Sequence, residues 1–106
     1  MDIQLKRGLL DVAVLKAIGK EESYGYKIIK DMKPCIALSE STLYTILKRL
    51  EAAEMLTVRT AEHDGRLRKY YRITKKGIAR IEEFKSDWRE MLTVYEFVAK
   101  EASTRE

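Results

Sequence analysis

The first chemistry this sequence offers lies in the stretch SESTLYTILKRLEAAEML, Ser39 to Leu56, where Ser41, Thr45 and Lys48 place two short hydroxyls and a cation in register. At about 100° per residue these three share one helix face with Ala52. Tyr44 flanks them on one side, Thr42 and Arg49 on the other, and Leu43, Ile46, Leu47 and Leu50 form the opposite, apolar stripe. Short donors followed by a cation suit the donor and acceptor edges of a DNA major groove. A helix that merely turns a polar side to water would carry the same residues, so this stretch acquires meaning only from its neighbours.

The second cluster is RLRKYYRITKK, Arg66 to Lys76, in which Arg66, Arg68, Lys69, Arg72, Lys75 and Lys76 stand with no acidic residue among them and with Tyr70 and Tyr71 between them. Phosphates are the natural counter-charge, and such cations would supply affinity and salt dependence rather than sequence reading. The alternative is a charged strand edge that only discourages aggregation. Other reactive groups are sparse. Cys35 is the single cysteine and His63 the single histidine, so one chain cannot assemble a disulfide framework or a Cys/His metal cluster. No carboxylate pair, glycine-rich phosphate loop or nucleophile-base set stands out, and His63 beside a turn reads as solvated. No enzyme, cofactor or metal is expected. A thiol-based redox sensor through Cys35 stays open as an alternative.

Composition bounds what can carry these clusters. With 106 residues and 45% apolar content, the chain can bury one modest core, so the default is one domain with an appendage. Residues 1 to 76 hold 16 basic and 10 acidic groups, a net +6, whereas residues 77 to 106 hold 5 and 7, a net −2. That asymmetry suits a polyanion-binding body with a tail of different use. Apolar runs stay well short of the roughly 18 residues a membrane helix needs, and the N-terminus lacks a signal-peptide pattern, so a cytoplasmic protein is expected.

The elements that must position the clusters follow from periodicity. From about Leu5 to Ile18, apolar residues wrap most of a helix circumference. This is either a central core helix or one whose second apolar side faces another chain, with Gly19 as its stop. Ser23 can cap a helix from Tyr24 to Lys33, with Gly25, Ile28, Ile29 and Met32 on one face and Pro34 ending it. A short connection to Leu38 and a cap at Ser39 complete a helix-turn-helix. After Leu56 the period becomes alternating. Asp64-Gly65 signals a hairpin, and the return strand places Leu67, Tyr71 and Ile73 on one face and Arg68, Tyr70 and Arg72 on the other. Thr74 can cap a last helix running from about Lys75 to near Ala102. Its apolar positions Ile78, Ile81, Trp88, Leu92, Tyr95, Ala99 and Ala102 are widened by Phe84, Met91 and Val98. Such a helix outruns what the domain can cover, so it is expected to pair two chains, with Leu5 and Leu9 joining Ile81, Trp88, Leu92, Tyr95 and Ala99 in the interface. The expected fold is mainly α (α+β): a winged helix-turn-helix with a two-stranded wing over residues 1–74, and a long C-terminal dimerisation helix over 75–106.

Three segments, TLYTILKRLEAAEML (Thr42 to Leu56), GRLRKYYRITKKG (Gly65 to Gly77) and SYGYKIIK (Ser23 to Lys30), resemble the PadR family of transcriptional regulators, and with the flanking helices the likeness spans nearly the whole chain. Two positions depart from the family pattern: Glu54 stands where a glycine usually follows the DNA-reading helix, and Leu67 where the wing commonly has proline. The resemblance implies a homodimeric repressor on a palindromic, inverted-repeat operator, often released by a small molecule. In the family's multidrug-sensing branch a tryptophan of the C-terminal helix stacks around planar aromatic ligands. Trp88 falls at the corresponding position, with Met91 and Leu92 beside it, although a tryptophan on an apolar stripe also reads as simple packing.

The expected function is therefore a sequence-specific DNA-binding regulator. Ser41, Thr42, Thr45 and Lys48 would reach base edges or nearby phosphates. Tyr44, Arg49, Arg66, Arg68 and Lys69 would clamp the backbone, with Tyr24 and Tyr70 beside them. A winged-helix protein-interaction module is the competing class, and the basic wing argues against it.

Overall fold

The computed structural model describes residues 1–101 and places four helices and one two-stranded antiparallel sheet in the order α1 (Ile3–Ile18), α2 (Gly25–Met32), α3 (Glu40–Ala52), β1 (Leu56–His63), β2 (Arg66–Ile73) and α4 (Lys75–Ala99). This is the winged helix-turn-helix expected from the sequence. The last helix ends at Ala99, with Lys100 on an extended backbone, and the expected Ala102 lies outside the described residues.

The Asp2 carboxylate starts α1 by accepting from the amides of Gln4 (2.8 Å) and Leu5 (3.1 Å). Gly19, at φ +82°, ends it in a conformation side chains disfavour. The reading of α1 as a core helix holds for its second half. Val12, Val14, Leu15 and Ile18 are buried, while Ile3 and Leu5 remain exposed. Val14, Leu15 and Ile18 join Ile28 and Met32 of α2, Leu43, Ile46, Leu47 and Leu50 of α3, and Leu56 and Tyr71 of the sheet in one core. Every residue of the apolar stripe read from α3 is in it.

Two boundaries differ from expectation. Ser23 does not cap α2. Its backbone exchanges two hydrogen bonds with Tyr71 (2.9 and 2.8 Å), which makes residue 23 a one-residue third strand beside β2. The helix starts one residue later than expected, and Tyr24 takes the cap position with an extended backbone and no side-chain cap bond. The Ser23 hydroxyl is buried without a hydrogen-bond partner among the described residues.

The second difference is the end of α3, which stops at Ala52 rather than running on to Leu56. Glu54 adopts φ +61°, its amide donates to the Glu51 carbonyl (2.9 Å), and the Met55 amide reaches back to Leu50 (2.9 Å). That pair of bonds is the Schellman arrangement, which favours glycine at the left-handed position. The helix is terminated in the usual way by an unusual residue.

Asp64 (φ +50°) and Gly65 (φ +78°) close the hairpin as a two-residue turn with positive φ at both positions, in register from Leu56 opposite Ile73 to His63 opposite Arg66. Leu67, on the same face of β2 as Tyr71 and Ile73, is 79% exposed, because the wing tip projects past the core that the base of the sheet covers. Thr74 then caps α4, accepting from the Gly77 amide at 3.1 Å, and donates its own hydroxyl hydrogen to the Glu54 carbonyl at 2.8 Å. Gly77 is required by closeness rather than by torsion: a Cβ there would lie 2.3 Å from the Met55 carbonyl oxygen. Ile81 still packs against the core and Phe84 is half-buried, and beyond Phe84 α4 projects. The Cα radius of gyration is 17.5 Å, against about 13 Å for a compact chain of this length.

Replacing Glu54 by glycine relieves the left-handed strain without removing a side-chain contact. Glu54→Gly is expected to raise unfolding stability by about 1 kcal/mol in urea titration. An unchanged or lower midpoint would contradict this account of the α3 terminus.

Candidate nucleic-acid interface

The outer face of α3 is presented as its spacing demands. Ser41, Thr42, Tyr44, Thr45 and Lys48 are all exposed, and burying the four apolar residues opposite leaves them no other orientation. Ser39 fixes the first turn, its hydroxyl accepting from the Thr42 amide at 3.2 Å and donating to the Thr42 hydroxyl at 2.9 Å. The Thr45 hydroxyl donates to the Ser41 carbonyl at 3.0 Å and keeps a lone pair for an outside donor. Tyr44 leans toward α2, where Gly25 makes room for it: a Cβ at 25 would meet the Tyr44 hydroxyl at 3.1 Å.

Arg49 is placed differently from the free clamp its position suggested. Its guanidinium grips the carboxylate of Asp11 in a two-pronged ion pair that joins α3 to α1, with both side chains largely covered. Lys6 and Arg7 of α1 line the groove on this flank with Thr42 and Thr45. Those two cations drew no attention in the sequence, because nothing local says which α1 residues will lie beside α3.

On the opposite flank, the first turns of α2 and α3 and the wing enclose a cleft of about 400 Å³ lined by residues including Tyr24, Tyr44, Leu67, Arg68, Lys69 and Tyr71. The wing therefore stands beside the N-terminal end of α3. Among the described residues, Lys48, Arg66, Lys69, Arg72, Lys75 and Lys76 make no ion pair, whereas Arg59 is held by Glu22 (Nε to Oε2, 3.0 Å). The Arg59 hydrogen bond holds the Glu22 carboxyl below its ordinary value. A depressed carboxylate contributes its stabilisation above the ordinary carboxylate range and loses it as pH falls through the folded value, so this tie is intact at neutral pH and weakens in acid. Arg68 lies over Tyr24 and beside Tyr70, rather than projecting from the sheet.

The face of α3, the unpaired cations beside it and the fold can be set against known proteins. The model of the transcriptional regulator PadR-like family matches residues 14–83. The chain belongs to the PadR-like family. Its fold is shared by a PadR-like transcription factor from Bacteroides fragilis (TM-score 0.81, 31% identity, 91% of this chain and 95% of the other). A PadR-family regulator from Eggerthella lenta gives TM-score 0.81, 29% identity, and 93% and 89% coverage. A PadR-like regulator from Bacillus cereus gives 0.75, 33%, and 92% and 99%. A Lysinibacillus sphaericus protein, itself uncharacterised, is 36% identical over 90 residues, 80% of this chain and 83% of its own. PadR-family regulators are DNA-binding transcription factors rather than enzymes, and this is the class of function the chain has. No helix among the described residues is long and apolar enough to cross a membrane, and no group of three or more metal-ligating side chains occurs among them.

The second candidate site of this PadR-family chain lies along α4. Trp88 is half-exposed and stacks on Phe84, with ring centroids 6.1 Å apart and planes 20° from parallel. Together with Met91, Leu5, Gly8 and Leu9 they line a groove of about 220 Å³ between α1 and α4. Leu92, expected beside Trp88, is exposed and outside that groove. Phe84 was legible only as part of the apolar stripe, although its spacing of four from Trp88 is the interval at which aromatic rings on a helix meet. Cys35 is exposed and lines a separate apolar groove with Leu9, Val12, Ile36, Ile81 and Phe84.

The Arg49 to Asp11 contact gives a test of role. Asp11→Asn and Arg49→Gln are each expected to destabilise the domain by about 1 kcal/mol, as loss of a charge-assisted, half-covered pair does, and the double variant by little more than either. Additive losses on thermal unfolding would remove the pair as a tie between α1 and α3.

Proposed function

We propose that this PadR-family regulator acts in the cytoplasm as a homodimeric repressor that reads an inverted-repeat DNA operator through α3 and is released by a planar aromatic ligand held near Trp88. The observation that carries the DNA reading is the concentration of unpaired cations around one uncovered helix face. Lys48 stands on α3 itself and Arg66 and Lys69 on the wing, all without an ion pair among the described residues. In this reading Ser41, Thr45 and Lys48 meet base edges. Thr42, Tyr44, Arg66 and Lys69 hold the backbone, and base contacts specify while phosphate contacts position.

Dimerisation is supported by what α4 leaves uncovered. Trp88, Met91, Leu92, Tyr95 and Val98 are between 44% and 72% exposed, and only Gly77 of this 25-residue helix is buried. A stripe of that size is costly in water, at about 25 cal/mol for each Å² of apolar surface. If two copies of α4 cross antiparallel near Trp88, residues equally far on either side come together. Leu92 would then reach the partner's Phe84 and Tyr95 the partner's Ile81, about 6 and 10 Å from the crossing at 1.5 Å per residue. The same crossing brings two Trp88 side chains close and supports an aromatic, ligand-stacking cleft between subunits.

Binding is tested on a duplex that the wild-type protein selects from a random pool, against an unselected duplex. Lys48→Ala is expected to reduce discrimination between the two by roughly tenfold, and Arg66→Ala to weaken binding to both alike and make the salt dependence shallower by about one unit. Sedimentation of the same samples is expected to return twice the chain mass. Wild-type affinity and salt slope in both variants would refute the assigned face.

For the effector, Trp88 fluorescence is expected to be quenched on titrating a planar aromatic cation such as ethidium, with loss of DNA binding over the same concentrations. Unchanged emission across a varied panel of planar aromatics would eliminate the Trp88 pocket.

A further inference from the structure

A two-stranded hairpin has little stability of its own, so something must set its angle against the helix-turn-helix. The base of the wing is held by the core through Leu56 and Tyr71, with Val58 and Ile73 at its margin. Those contacts end at Tyr71. Toward the tip Leu67 is 79% exposed, and β1 offers Thr60, Glu62 and His63, all exposed. Apart from the small Ala61, half-covered opposite Arg68, the tip half of the wing therefore has no apolar anchor.

Arg68 occupies that half and turns back toward the body. Its guanidinium carbon lies 3.6 Å from the ring centre of Tyr24 and 4.9 Å from that of Tyr70, and its Nε donates to the Tyr70 hydroxyl at 3.0 Å. The two rings meet edge to face at 6.0 Å, and Arg59 covers Tyr70 at 4.5 Å while gripping Glu22. Tyr24 is also the residue at which α2 begins, and its neighbour Ser23 is paired with Tyr71. One planar cation thus connects the unanchored part of the wing to the first turn of the helix-turn-helix.

We propose that Arg68 is a positioning residue for DNA binding: clasped between Tyr24 and Tyr70, it sets the angle of the wing and does not itself neutralise a phosphate. Its effect on DNA rests on the DNA-binding function above, whereas the clasp exists without DNA. A guanidinium can lie flat on a ring and hydrogen-bond along its edge, and an ammonium on a flexible stem cannot, so lysine is a poor substitute here although it is a good phosphate ligand.

The test uses the full chain and the same selected duplex. Arg68→Lys and Arg68→Gln are both expected to lower affinity by about tenfold, and Arg68→Gln to keep the wild-type salt slope. Tyr24→Phe retains the ring and should bind as wild type. Tyr24→Leu should match Arg68→Gln, and combining those two should cost no more than either alone. Wild-type affinity in Arg68→Lys, with a slope shallower by about one in Arg68→Gln, would overturn the proposal and make Arg68 a phosphate ligand. A DNA-free measurement separates the clasp from the function. In the NMR spectrum of the free protein, the Arg68 Nε–H resonance should be displaced by the tyrosine rings and return toward its ordinary position in Tyr24→Leu. An ordinary position in the wild type would overturn the clasp even if DNA binding is confirmed. A displaced resonance in a protein that selects no duplex would uphold the clasp while the DNA-binding function fails.

Discussion

The backbone carbonyls of Glu54 and Met55 hold together the three parts that matter: the end of α3, the base of the wing and the start of α4. The Thr74 hydroxyl donates to the first, the Thr74 amide donates to the second at 3.1 Å, and the Gly77 backbone packs so closely on the second that no side chain fits between them. Backbone groups left over where a helix ends need partners, and here Thr74 supplies them from the junction of the wing and α4. Because two of these contacts are main chain and the third is the short Thr74 hydroxyl, the direction in which α4 leaves is tied closely to the direction in which α3 ends.

Around this corner some cations are engaged within the chain and others are not. Arg49, Arg59 and Arg68 each lie against a group of their own chain: a carboxylate on α1, a carboxylate before α2, and a pair of tyrosine rings. A rigid planar fork suits fixed geometry, and each of these contacts joins elements that are distant in sequence. Lys48, Lys69, Lys75 and Lys76, by contrast, make no ion pair among the described residues and keep their charge available to solvent or to a polyanion. Counting positive charges along the wing therefore overstates how many are free, since Arg68 is engaged.

Much of this architecture was legible because it is local. The spacing of Leu43, Ile46, Leu47 and Leu50 gave the buried side of α3, Ser39 and Thr74 were read as caps and act as caps, and Asp64-Gly65 placed the hairpin turn. What was not legible depends on partners far along the chain. Ser23 resembles any helix cap until Tyr71 claims its backbone, and Arg49 resembles any exposed cation until Asp11, 38 residues away, is found beside it. The true end of α3 was hidden for another reason. The left-handed turn is normally announced by glycine, and Glu54 adopts it without announcing it, because the bonds to Leu50 and Glu51 and the packing of α4 impose the conformation.

Along α4, Ile81 packs against the edge of the core, Phe84 is half-buried, and every described residue after Phe84 is exposed. A change at Leu92 or Tyr95 therefore alters what the helix can meet without reopening the core of the single chain, to which neither belongs. The outer part of the helix answers to whatever it meets, while the core answers to the folding of the single chain.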